Sequence, residues 1–513
     1  MRKSFVGFLV VSILFSVSIF AQTGKSDVIL RMKSNLEFLS SDELEGRNAS
    51  SRGERVAAQF IASEMKKYGV KPLGDDGTYF QNFDMSVRRF KQEPNLVLYD
   101  ESGKEISKLT PGLDYLLDDS RIPDLKYLRK AAGLVFVGYG ITAEEYGYDD
   151  YKNIDVNGKI VITLSGEPSG DDENYFKGAE LTEYSSPRFK AQLAEKNGAV
   201  GLINIVNDGL IPYWNIYWSI LMIGDFKWTK EEHSEAGGLP AVLGSLEGIK
   251  KIFDGEIISY DKILEMRNGT GKADPFLLKK KFMFDYGIVE GNESIRNVVG
   301  VIEGKDPQLK NEYVVLSAHY DHVYIYNSDV CNGADDNGSG VIAVLETADK
   351  IIKSGNNKRS IILLFVTAEE KGLLGSYYFT NNFPQIDNVV ACINIDMCGR
   401  QDENSIEAIG ADRVSKEFHE LLEKANSETA KFDLDYSQSY TRSFELSDHY
   451  PFVRKNIPAF FLFDNMYEDL HAPKDEIQKI NFEKIYKTVE MSTNLALKVS
   501  NLDHRMSFDM QSQ

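Results

Sequence analysis

Cysteine is nearly absent from this chain, with only Cys331, Cys392 and Cys398 in 513 residues. That excludes a disulfide framework of the kind that braces small secreted domains. Cys331 lies near one of the motifs below and reads either as a reactive thiol or as a small buried filler. Positive charge is also scarce. Lys and Arg number 58 against 78 Asp and Glu, for a formal charge of −20. No basic stripe interrupts the excess, which favours solubility and argues against nucleic acid as a partner. Long apolar runs are missing beyond the N-terminus. There Arg2 and Lys3 precede Phe5 to Phe20, and Ala21 offers a small residue for cleavage, the pattern of a secretory signal peptide over 1–21. The run is short for a membrane span, and no cysteine follows it to carry a lipid. The expectation is an exported protein, periplasmic or secreted, with no membrane span after cleavage.

At this length two or more domains are expected. Residues 27–70 read as helical. Ser51-Arg52-Gly53 opens a helix with Val56, Phe60, Ile61 and Met65 on one face, and Gly69 stands where a C-terminal cap belongs. Residues 78–110 read as extended. From about 130 to 265 the strands Leu134 to Val137, Ile160 to Leu164 and Val200 to Ile205 form a small α/β unit. A helix starting at Pro187 and ending by Gly198 lies between the last two. None of these strands ends in a ligand-type residue, so the unit reads as an insertion without chemistry of its own. Residues 212–228 hold all three tryptophans, Trp214, Trp218 and Trp228, and read as a pocket lid or as packing within the insert.

The chemistry lies further on. His319-Tyr320-Asp321, Asp335 to Gly340, Glu369-Glu370, Asp396 and His471 to Asp475 occur in that order. Val314-Val315-Leu316 leads into the first group, Ile361 to Val366 into Glu369, Val389 to Ile393 into Asp396, and Pro458 to Phe463 lies upstream of His471. Continuous apolar runs of this kind read as strands buried on both faces of a parallel sheet. Open α/β sheets bind ligands beyond the carboxyl ends of their strands, so the polar groups are predicted to converge on one edge. Histidines and carboxylates together are the donor set that zinc takes.

Hydrolysis of a peptide bond needs an activated water and a polarised carbonyl, and two metals about 3.5–4 Å apart supply both. Such a pair needs a bridging carboxylate, and Asp336 is the candidate, since Gly333, Gly338 and Gly340 let the backbone fold closely around it. One metal then takes His319 and Asp396, the other Glu370 and His471. Glu369 remains free as the general base. Asp321 and Asp475 are placed either to receive hydrogen bonds from His319 and His471 or to serve as turn residues. His449, in Ser447-Asp448-His449, is a candidate pocket or oxyanion residue.

The pattern resembles the secreted di-zinc aminopeptidase family that also contains glutamate carboxypeptidase and the transferrin receptor. The stretches that carry it are Leu316 to His322, Gly333 to Gly340, Thr367 to Ser376, Asn394 to Met397 and His471 to Asp475, joined by Leu39 to Arg47 near the N-terminus. The resemblance implies an α/β fold, a mostly parallel mixed sheet flanked by helices. It implies two Zn2+ ions, with Co2+ or Mn2+ as substitutes, on His319, Asp336, Glu370, Asp396 and His471, with Glu369 as base. It also implies a cis peptide between Asp336 and Asn337. Gly138 to Ile141, Asp149 to Tyr151 and Asn157 to Val161 are similar to a protease-associated domain. The expected division is therefore 1–21 signal peptide, 22–125 and 266–513 peptidase domain, and 126–265 inserted protease-associated domain.

Relatives often carry a tyrosine just before the last histidine, where this chain has Leu470, which leaves Tyr467, His449 or the metal alone to meet the oxyanion. The implied activity is removal of N-terminal residues from peptide substrates. A carboxypeptidase or dipeptidase with the same metals would need a cationic anchor, for which Arg442 is the candidate. The same residues also admit a non-catalytic binding protein and, more distantly, a two-metal phosphoesterase.

Overall fold

A computed structural model gives the fold. It describes residues 24–90, 94–117, 129–168, 174–178, 181–206, 214, 225–228, 238–267, 274–323, 325–326, 329–400, 402–465, 467 and 469–510. The proposed signal peptide, Trp218 and most of the aromatic segment lie outside these residues. The chain divides into two compact units, one of residues 1–84 with 294–513 and the other of residues 85–293.

The first unit is built on a mixed sheet. Among its strands are β1 (Ile288–Ile302, which enters from the other unit), β2 (Tyr313–His319), β3 (Ser360–Val366), β4 (Val389–Asp396), β5 (Ser405–Ile409), β6 (Asp433–Asp435) and β7 (Ala459–Phe463). Their order is β1-β3-β2-β4-β7-β5-β6. The run β3-β2-β4-β7 is parallel, and β1 and β5 pair antiparallel at its two sides. The expected mostly parallel mixed sheet is therefore present. All residues of β3 and β4 are buried, because alternate side chains enter two different cores. Ile361, Leu363, Phe365, Ile393 and Ile395 join the larger core, and Ile362, Leu364, Val366 and Cys392 join the opposite one.

Helices cover both faces. On the larger core lie the helical stretch 24–39, α1 (Arg52–Tyr68), α2 (Gly340–Ser354), α4 (Lys416–Glu428) and α5 (Phe482–Ser500). On the other lies α3 (Leu374–Asn382), through Phe379. The α1 caps act as read, with Ser51 accepting from the Glu54 amide and Gly69 capping the end at φ 85°, but Val56 is exposed and the buried face is Ala57, Ala58, Ile61, Ala62 and Met65. The helical reading of 27–70 is broken between 40 and 51, where a short 3-10 turn, Asp42–Arg47, delivers Arg47 to the site described below. No helix among the described residues is long and apolar enough to cross a membrane.

The second unit has its own sheet and apolar core. Ala132–Phe136, Ile160–Leu164, Gly201–Ile205 and Ala241–Gly244 run parallel in that order, and the helix Pro187–Lys196 lies between the second and third in sequence. This unit is wider than 126–265. The strands Asn95–Tyr99, Glu105–Leu109, Tyr115–Leu117 and Phe276–Asp285 hydrogen-bond into its sheet. Their sequences say only that they are extended; which sheet they join is decided by pairing.

Candidate metal centre

The four parallel strands end on the same edge, and the turns beyond them carry the functional side chains. His319 is the last residue of β2. Its Nδ1 lies 3.1 Å from the main-chain carbonyl of Asp321, which directs Nε2 at Asp396 Oδ1 (3.1 Å) and Asp336 Oδ1 (3.3 Å). The Asp321 carboxylate is 3.9 Å from the same Nδ1 and accepts from the Glu369 amide at 3.1 Å instead. Of the two roles open to Asp321, its main-chain carbonyl meets His319 while its carboxylate takes the turn role and positions the next loop.

Asp336 lies in the turn Ala334–Ser339, ahead of α2, and its peptide bond to Asn337 is cis, as the resemblance implies. The flanking residues are tied to the chain beyond β4. Asp335 Oδ1 accepts from the Gly399 amide (2.7 Å), and Asn337 bonds the Ile395 carbonyl (2.9 Å) and the Met397 amide (3.1 Å). The Asp475 carboxylate accepts from the amides of both Asp335 and Asp336, so it holds this loop. Asp336 is left to point its own carboxylate at imidazoles on two sides. Oδ1 faces His319, while Oδ2 faces His471 Nε2 at 3.1 Å and His322 Nδ1 at 3.6 Å.

Glu370 completes the second side. Its Oε2 is 3.0 Å from His471 Nε2, and its Oε1 is 3.1 Å from His322 Nδ1. Asp396 is steadied by the Ser447 hydroxyl at 2.5 Å, which in turn accepts from Asn394. Glu369 differs from Glu370 and Asp396: among the described residues its carboxylate accepts no hydrogen bond.

The donors therefore fall into two groups that share Asp336. One is His319, Asp336 and Asp396, and the other is Asp336, Glu370, His471 and His322. Electrostatics point the same way. Burial disfavours charge on His319, but Asp396 and Glu369 outweigh it and raise its pKa well above the ordinary value. Burial likewise opposes the His471 imidazolium, yet Glu370 and Asp336 push its pKa up to about 10. Burial raises Asp336 and Glu370, but the histidines overcome it. Asp336 falls well below the carboxylate range and Glu370 falls to about 2. Burial raises Glu369 well above its usual value, with Glu370, Asp448 and Asp396 adding to the shift. Carboxylates this close together demand cations among them, and nitrogen and oxygen donors in these numbers suit zinc.

Several remaining expectations are revised. The Tyr467 hydroxyl donates to Asp335 Oδ2 at 2.8 Å, and Arg400 lies 4.2 Å over its ring, so it serves the Asp336 loop. His449 is buried in the apolar core, stacked on Phe461 at 4.7 Å and set edge-on to Phe444 at 5.4 Å. Burial pushes its pKa down to about 3, only partly offset by the main-chain groups of Phe444 and Ser447. The aromatic neighbours Phe444 and Phe461, whose placement needs the fold, pack against its ring. Arg442 is exposed on the short 3-10 helix Arg442–Glu445, with no described contact to the cluster. Cys331 is buried, as the filler reading expects.

Two residues of the site were missed by sequence reasoning. His322 directly follows the first motif yet was given no role. Arg47, in the N-terminal stretch that carries part of the resemblance, is fully buried. It donates to the carbonyls of Leu39, Tyr320 (3.0 Å), Asn332 (2.6 Å) and Gly333 (2.9 Å), linking the His319 turn to the Asp336 turn.

Known proteins align with this arrangement. Residues 297–496 match the sequence profile of Peptidase family M28. An aminopeptidase of Bacillus subtilis strain 168, YwaD, is 26% identical over 467 residues, covering 88% of this chain and 81% of that protein. Leucine aminopeptidase 1 of Ajellomyces dermatitidis is 26% identical over 216 residues, 38% of this chain and 55% of that protein. Among solved structures, an aminopeptidase from Aneurinibacillus sp. strain AM-1 shares the fold with a TM-score of 0.57 at 19% identity, covering 94% of this chain and 95% of that one.

Proposed function

Residues 297–496 of this chain belong to peptidase family M28, and from that premise we propose that the metallopeptidase is an exported di-zinc aminopeptidase that removes N-terminal residues from peptides. The observation that carries the two-metal reading is Asp336, which offers one oxygen to each of two histidine–carboxylate groups. His319 and Asp396 would hold one zinc, Glu370 and His471 the other, with Asp336 between them. When bound, the ions polarise the scissile carbonyl and acidify the attacking water. Glu369 accepts the proton of that water and returns it to the leaving amine. Its placement supports this role: its amide is fixed by Asp321, and its carboxylate is uncommitted among the described residues. Ser447 and Asp475 hold Asp396 and the Asp336 loop rigid, so the donors do not reorganise during the reaction. The bacterial relative named as an aminopeptidase aligns along most of both chains, which favours the amino-end reading. Arg442, the anchor that a carboxy-end peptidase would need, is exposed and has no described contact with the cluster.

Export rests on the segment 1–21, and the protease-associated assignment rests on the motifs of the second unit. The decisive experiment assays the purified protein on aminoacyl chromogenic amides and their N-acetylated forms, before and after chelation, with zinc restored. Cleavage of free-amine substrates only, lost on chelation and regained with zinc, is expected. Cleavage of the blocked forms would overturn the amino-end assignment.

A further inference from the structure

Three imidazoles face the shared carboxylate, not two. His319 Nε2 is 3.3 Å from Asp336 and 3.1 Å from Asp396. His471 Nε2 is 3.1 Å from Asp336 and 3.0 Å from Glu370. His322 Nδ1 repeats the pattern, at 3.6 Å from Asp336 and 3.1 Å from Glu370. The His322 and His471 rings meet edge-on with centroids 5.6 Å apart, the spacing of two rings aimed at one point between them. Room for the His322 ring depends on Gly333, where an added Cβ would collide with it. The ring is fully buried, and its other nitrogen, Nε2, has no partner among the described residues. Its orientation is therefore set by what Nδ1 meets.

We propose that His322 is a further ligand of the zinc on the Glu370 side, binding through Nδ1 alongside His471. This inference rests on the two-metal reading above. It makes the two sites unequal. The His319 side has one imidazole and two carboxylates, whereas the Glu370 side has two imidazoles with Glu370 and the shared Asp336. Imidazole suits zinc, and carboxylate-rich sites also accept manganese or magnesium. The Glu370 side should therefore retain zinc more tightly, and the His319 side should exchange more readily with Mn2+.

The test measures zinc directly. Apo-protein is titrated with zinc against a chromophoric chelator, comparing wild type, His322→Ala and His322→Gln. Zinc K-edge X-ray absorption on the wild type counts imidazoles per ion. Wild type binding two equivalents tests the two-metal reading by itself; binding fewer would remove that reading and this one together. If the two-metal reading holds, both variants should bind one equivalent like wild type and the second at least roughly 10–100-fold more weakly. The wild-type spectrum should then fit three imidazoles over two zincs. Two full-affinity equivalents in a folded variant would overturn the assignment. So would a wild-type spectrum with two imidazoles over two zincs, since His322 would then only donate a hydrogen bond to Glu370. The spectrum needs no substitution, so the test survives a variant that fails to fold.

Discussion

The Asp475 carboxylate accepts hydrogen bonds from the main-chain amide of Asp336 (3.0 Å) and from that of Asp335. The residue that both donor groups share is thus held by its backbone, which leaves one carboxylate oxygen to face His319 and the other to face His471. Asp475→Ala removes an acceptor from two buried amides. It should weaken zinc binding by roughly 10–100-fold, measured by chelator competition. Undiminished affinity would show that the loop holds its shape without this anchor.

Glu369→Gln keeps the size of the side chain and removes the proton acceptor. Turnover should fall by roughly 10²–10⁴-fold, with zinc content and melting temperature kept. A variant with near wild-type turnover would refute the base assignment.

Tyr467→Phe discriminates between two roles for that hydroxyl. Because it is committed to Asp335, its loss should cost about 1 kcal/mol of stability and less than about tenfold in turnover. A drop in kcat of two orders of magnitude or more, with KM unchanged, would instead make Tyr467 the oxyanion donor.

Arg47→Lys preserves charge but not the fork that reaches four carbonyls. Orphaning buried acceptors costs about 1–3 kcal/mol each, so the variant should lose at least about 3 kcal/mol in denaturant unfolding. Zinc affinity should fall with it, because the carbonyls belong to the two turns that present the ligands. A variant as stable as wild type would contradict this account.

Glu54, on α1, is fully buried and accepts from the hydroxyls of Tyr320 (2.5 Å) and Thr367 (3.0 Å). Burial, opposed by those two hydrogen bonds, raises its pKa from 4.5 to about 7. Between those values the native state holds a proton that the unfolded chain releases, so this residue's contribution to stability falls as pH rises through the window. Glu54→Gln should therefore be less destabilised than wild type on going from pH 5 to pH 8, in urea unfolding of chelated protein. Parallel pH profiles for the two proteins would show that Glu54 does not titrate in this range.

The site was legible where chemistry and sheet geometry coincide. Val389 to Asp396 and Ser360 to Val366 are apolar on both faces, so their strands and the polar residues at their ends could be read directly. The sequence leaves the role of Asp321 open, because the choice between its carboxylate and its carbonyl as the partner of His319 depends on the turn of the backbone over two residues. His322 stands three positions from His319, a spacing that on a strand would put it on the opposite face, and the turn beyond the strand and the space at Gly333 bring it to Glu370. Arg47 reaches carbonyls more than 270 residues away in Tyr320, Asn332 and Gly333, and no residue type in a sequence marks a carbonyl acceptor. The bounds of the second unit escaped for a related reason, since edge strands such as Asn95–Tyr99 do not announce their sheet.

The family profile spans residues 297–496, yet the core beneath the catalytic strands is closed by Val28, Met32, Leu36, Ala57, Ile61 and Met65. Arg47 stands between the two segments that supply these residues. The smallest inheritable catalytic module is therefore discontinuous: an N-terminal arm and a C-terminal body, separated in sequence by the whole second unit. Recombination or truncation at the profile's own limits would strip the body of one wall of its core and of the fork that joins its ligand turns.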